Sequence, residues 1–153
     1  MKLIYLILAL ITPVAASAAN EVALSSEVFV ERTKQDAAGK PQTVREKPEV
    51  VTPGDKLVFV LRYSNGGAQP ASDFTVTNPI PAAVAYTAAE GAGSTVSVDG
   101  GKTWGQLGSL KVALPDGTSR AALASDVTHV RWRFAQPIPA KSGGEVSFRG
   151  VVR

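Results

Sequence analysis

Ser97, Asp99, Gly101, Thr103 and Trp104 stand in the order Ser-x-Asp-x-Gly-x-Thr-Trp within SVDGGKTW, the most motif-like stretch of the chain. A carboxylate, hydroxyls and an indole at this spacing suit a self-contained turn, in which Asp99 accepts hydrogen bonds from N–H groups of its own loop, Gly100 and Gly101 permit positive φ, and Trp104 packs beneath the hairpin. Glycoside hydrolysis needs two facing carboxylates. The acidic residues here lie mostly in turns or at strand ends, and no pair is placed by the sequence, which favours the turn.

Other reaction chemistries lack their parts. A serine nucleophile needs a base and a group to orient it, but His129 is the one histidine and no Gly-x-Ser-x-Gly elbow occurs. Zinc needs several His, Cys or carboxylate ligands, and the chain has no cysteine. Asp99 and Asp116 each precede a glycine, a dipeptide that reads as a turn before it reads as a calcium site. No metal and no cofactor is expected. SVDGGKTW resembles the Asp box, a hairpin repeated around the propellers of sialidases and related carbohydrate-active proteins. A propeller would need several copies at a regular period, and this chain has one. The resemblance implies turn architecture, with a carbohydrate-active enzyme or sugar-binding accessory domain as the alternative reading.

A second constellation is basic. Val130, Trp132 and Phe134 alternate with His129, Arg131 and Arg133, and Val146 and Phe148 alternate with Arg149. Alternation of this kind sends the two sets to opposite faces of a strand. If the two strands pair, as a short connection favours, Arg131, Arg133 and Arg149 gather on one sheet face. There they suit the phosphate or carboxylate groups of an envelope polymer, or another envelope protein. The bland reading is a solvated face that keeps the sheet soluble and discourages edge pairing.

These residues need strands to position them, and strands are what the patterning predicts. Apolar residues recur at period two, and Gly, Pro, Thr, Ser and Val are frequent. KLVFVLRYS, residues 56–64, places Leu57, Phe59, Leu61 and Tyr63 on one face and Val58, Val60 and Arg62 on the other. Pro53-Gly54 precedes it and Asn65-Gly66-Gly67 follows, both turn signals. Further strands are predicted over residues 21–31, 42–46, 73–78, 95–99, 103–107, 109–114, 127–134 and 145–152. The expected core is Leu57, Phe59, Leu61, Phe74, Val76, Trp132, Phe134, Val146 and Phe148. The spacing of strands and turns predicts an all-β, immunoglobulin-like antiparallel β-sandwich of about seven to nine strands.

The first residues, MKLIYLILALITPVAASAAN, combine Lys2, an apolar run and the small residues Ala16-Ser17-Ala18. This is the pattern of a cleaved secretory signal peptide over residues 1–18, and the run is too short for a bilayer-spanning helix of about 20 residues. The remainder, residues 19–153, suffices for one sandwich domain of about 100 residues or more. No membrane span is expected after cleavage, and the expected location is the periplasm or the cell surface and extracellular space. A formal charge of +3 is too mild for a nucleic-acid binder.

From Val51 onward, VTPGDKLVFVLRYSNGGAQPASDFTVTNPIPAAVAY resembles the bacterial DUF11 family of immunoglobulin-like repeats. Its pattern is met by Pro53, Gly54 and Asp55, by Asn65 and Gly67, and by Pro81 and Tyr86. Asn78 stands where the family usually has Asp. The resemblance implies an exported sandwich without catalytic residues, acting as a binding or structural module of the cell envelope.

Overall fold

The computed structural model describes residues 22–153, so the expected signal peptide lies outside the described residues. Ten strands follow in chain order: β1 Val22–Gln35, β2 Pro41–Glu46, β3 Lys56–Asn65, β4 Thr75–Pro79, β5 Val84–Glu90, β6 Ser94–Ser97, β7 Lys111–Ala113, β8 Ser119–Ala121, β9 His129–Arg133 and β10 Gly143–Val152. They form an antiparallel sandwich. One layer is a five-stranded sheet ordered β2-β1-β3-β10-β5, the other a three-stranded sheet ordered β4-β9-β6, and β7 and β8 make a small hairpin of their own. The ten strands exceed the seven to nine expected, because β5 and β8 fall outside the predicted strands. No helix among the described residues is long and apolar enough to cross a membrane.

β3 is the central strand, and its sequence shows why. Leu57, Phe59 and Leu61 enter the core, while Val58 and Val60 on the opposite face are also buried. A strand apolar on both faces is stable only with neighbours on both edges. β1 and β10 supply them, pairing Val28 and Phe148 with Phe59 from either side. Val22 of β1 lies against Asn65 at one end of β3, whereas Val151 of β10 lies against Lys56 at the other.

Aromatic rings join the two layers. Phe59 and Phe148 stack with centroids 4.4 Å apart, and Trp132 of the opposite sheet lies 6.4 Å from Phe148. Trp132 and Phe148 are both 0% exposed. The indole Nε1 of Trp132 donates to the Glu90 carbonyl at 2.9 Å, so its polar atom is satisfied inside the core. Tyr63, Phe74 and Phe134 form a second aromatic cluster, with the Tyr63 and Phe134 rings 4.7 Å apart edge to face. Every residue of the predicted core lies in or against the buried core between the layers.

Both ends of β3 are fastened by polar side chains that the sequence marks only as turn residues. Asn65 is 2% exposed. Its Nδ2 donates to the carbonyls of Gln69 (2.8 Å), Ile138 (3.0 Å) and Pro139 (3.3 Å), and its Oδ1 accepts from Gly67 N–H at 2.9 Å. At the other end Asp55 accepts from Thr52 N–H at 2.9 Å and binds both terminal nitrogens of Arg32. Gly54, with φ 93°, donates to the Val152 carbonyl at 2.8 Å and so ties the same turn to β10.

The pattern misplaces three elements. Residues 103–107 are not a strand: Gly105 makes one bridge to Val96, and Leu107–Ser109 is a 3₁₀ turn. β5 escapes the pattern because VAYTAAE is rich in alanine and its pairing with β10 shifts register between Arg149 and Gly150. β8 is three residues, all exposed, and carries no apolar signal.

Replacing Asn65 with Ala strands three carbonyls and should cost about 3 kcal/mol. Asn78→Ala, which removes one exposed bond to the Pro79 carbonyl, should stay within about 0.5 kcal/mol. Urea denaturation of the two variants checks this; equal midpoints would refute the role given to Asn65.

Candidate functional site

The turn after β6 is built by Asp99. Its carboxylate accepts from Thr103 N–H (2.9 Å), Thr103 Oγ1 (2.7 Å), Lys102 N–H (3.1 Å) and Ser97 Oγ (2.7 Å). These donors stabilise the ionised form, the Thr103 N–H first among them, and hold the carboxyl far below its ordinary value. Gly100 and Gly101 take φ of 77° and 88°, the left-handed geometry the turn demands. Gly101 N–H donates to Ser97 Oγ at 2.9 Å, which accounts for a Ser97 that is 0% exposed although it faces away from the core. Both oxygens of Asp99 are therefore engaged within the loop, and Asp116 likewise accepts from the N–H and hydroxyl of Thr118.

The turn delivers Trp104 to the outer face of the three-stranded sheet. Its Nε1 donates to the Gly101 carbonyl at 2.9 Å, which fixes the ring. β9 lies in the middle of this sheet, with Thr77 of β4 and Thr95 of β6 flanking Arg131. The Arg131 guanidinium sits 4.2 Å from the Trp104 ring centroid, a cation–π contact. His129 approaches the same ring edge-on at 6.3 Å, and its Nδ1 meets Thr128 Oγ1 at 3.0 Å. Arg131 Nε is buried without a hydrogen-bond partner.

The expected ladder of three arginines does not form. β9 and β10 belong to different layers, so Arg131 and Arg133 face outward from one sheet while Arg149 faces outward from the other. The connection, residues 134–142, explains the separation. Pro137 and Pro139 flank Ile138, which is buried and bridges to Ala71, so the chain arches across the sandwich instead of folding back as a hairpin. Tight hairpins use about two to five residues, and this arch exceeds that.

Arg149 is spent on its own sheet. It pairs with Glu90 and, at 3.3 Å, with Glu31, which also lies 3.7 Å from Arg45. Arg62 pairs with Glu27 and Glu145, and Lys47 reaches Glu27 at 3.5 Å. This lattice roofs the buried Val58 and Val60, the aliphatic stems of the arginines covering apolar surface. Its Arg149 hydrogen bond is the first cause holding the Glu90 carboxyl below its ordinary 4.5. By contrast, neither Arg131 nor Arg133 has an acidic partner among the described residues. Sequence reasoning missed this asymmetry because alternation gives the face of a strand but not the sheet it joins.

Among the described residues no group of three or more His, Cys, Asp or Glu is placed to hold a metal ion. No family model, curated protein or solved structure gives a significant match to the chain.

The Trp104–Arg131 contact should show a coupling of about 0.5–1 kcal/mol in a double-mutant cycle with Trp104→Ala and Arg131→Ala. Additive stabilities would exclude it. For the ionic lattice, a depressed folded pKa means stabilisation present above the unfolded value and lost as pH falls through the folded one. Melting temperature should thus hold steady down to about pH 4.5 and fall below it. Arg149→Met should make that acid limb shallower, and an unaltered limb would show that Glu90 does not contribute.

Proposed function

We propose that this chain is an exported, non-enzymatic binding module of the bacterial cell envelope, akin to the DUF11 repeats. It recognises anionic envelope polymers through the outer face of its three-stranded sheet. The observation that carries the reading is the charge asymmetry between the layers: the five-stranded sheet neutralises Arg149 with Glu31 and Glu90, while Arg133 and Arg131, the latter against Trp104, have no acidic partner among the described residues.

Further support comes from the parts of the pattern shared with that family. Asp55 and Asn65 have physical tasks at the two ends of β3, and Gly54 has the positive φ its turn requires. The leader-like residues 1–18 support export. The Asp99 carboxylate is held by its own loop, which supports a turn that places Trp104 over a turn that cleaves sugars. Guanidinium groups bind phosphate and carboxylate in bidentate fashion, and an indole beside them adds an apolar contact for a polymer backbone.

Arg131→Glu combined with Arg133→Glu should reduce co-sedimentation with anionic envelope polymer several-fold and weaken its dependence on salt, with an unchanged circular dichroism spectrum. Arg149→Glu, altering the opposite layer, should leave co-sedimentation unchanged. Retention equal to the parent in the double variant would refute the site.

A further inference from the structure

β1 is a sheet edge along much of its length. Its residues 22–31 pair with β3, but β2 covers only residues 30–35 on the other side. Residues 22–29 therefore have no strand on their outer edge among the described residues. The cause lies in the sequence: β2 ends at Glu46, opposite Val30, and Pro48 follows two residues later. Proline has no N–H to continue the ladder.

An edge of this length is a template for another strand unless it is guarded by Lys, Pro, a bulge or brevity. VALSSEV, residues 22–28, has none of these guards. Its one charge, Glu27, is already held by Arg62 and Lys47. Leu24, level with Tyr63 on the core-facing side, is 49% exposed.

We propose that this edge pairs with the same edge of a second copy of the chain, antiparallel and about a two-fold axis at Ser25, joining two five-stranded sheets. Facing residues of an antiparallel pair share a sheet face, so the axis must pass through a residue and not between two. Centred on Ser25, Ala23 faces Glu27, Leu24 faces Ser26 and Val22 faces Val28. No like charges oppose each other, and the two Leu24 side chains become diagonal neighbours. Centring on Ser26 would bring Val22 against Val30, whose outer side β2 already occupies at Glu46. Centring on Leu24 would shorten the pairing to residues 22–26. The edge lies in the layer that does not carry Arg131 and Arg133, so the pairing is independent of polymer binding.

A ladder this short supports a weak dimer, formed at high concentration. Sedimentation of the full chain from micromolar to millimolar should show a monomer–dimer equilibrium, and Ser25→Lys, which sets two ammonium groups face to face, should abolish it. The chain has no cysteine, so Ser25→Cys introduces its sole thiol. Facing residues bring their Cβ atoms to about 4.5–5.5 Å, close to disulfide range. Mild oxidation should cross-link Ser25→Cys at least about tenfold faster than Ser119→Cys on the exposed β8 strand. Ala23→Cys and Glu27→Cys should each cross-link slowly alone and rapidly when mixed. A monomer at every concentration, cross-linking of Ser25→Cys at the control rate, or fastest cross-linking by Ala23→Cys alone would each overturn the proposal.

Discussion

The amide of Asn65 is the constraint on which the two layers depend. One side-chain nitrogen serves three carbonyls, drawn from the loop that leaves β3 and from the arch that carries the chain from β9 to β10. A buried polar group without partners is expensive, so this site tolerates few alternative chain paths. The arch must pass where its carbonyls meet the amide. With the arch so placed, β9 lies in one sheet and β10 in the other, which sets Arg131 and Arg133 apart from Arg149. Asp55 does the corresponding task at the far end, holding its turn, Arg32 and the end of β10.

Between those two fastenings the layers acquire different electrical characters. The five-stranded sheet has a strand buried on both faces, and its outer valines are kept from water by a roof of paired charges. Such pairs add little energy individually, but here their stems also cover carbon. The three-stranded sheet has threonines beside β9 and a single indole above it, and among the described residues its two arginines meet no carboxylate.

Much of the architecture was legible from period and turn chemistry. The β3 alternation, the extents of the last two strands and the central aromatic residues follow the patterning, because each depends on which face of a strand is apolar. Asp99, Gly100, Gly101 and Trp104 were legible as a turn for the same local reason. What the residues did not disclose is non-local. Alternation cannot say which strands become neighbours, so it groups Arg149 with Arg131 and Arg133 although a sandwich core separates them. Ala88 and Ala89 gave β5 no apolar signal, and Asn65 read as a turn former because its far acceptors, Ile138 and Pro139, lie more than seventy positions along the chain.

The antiparallel pairing of both β1 and β10 with β3 has a mechanical side. Val22 and Val152 lie toward opposite ends of the central strand, so tension directed through them slides β1 and β10 past β3 in shear instead of peeling one strand away. Ladder bonds run perpendicular to such a load, and many must yield together. The order of strands that buries β3 thus also makes the domain stiff to stretching along its length.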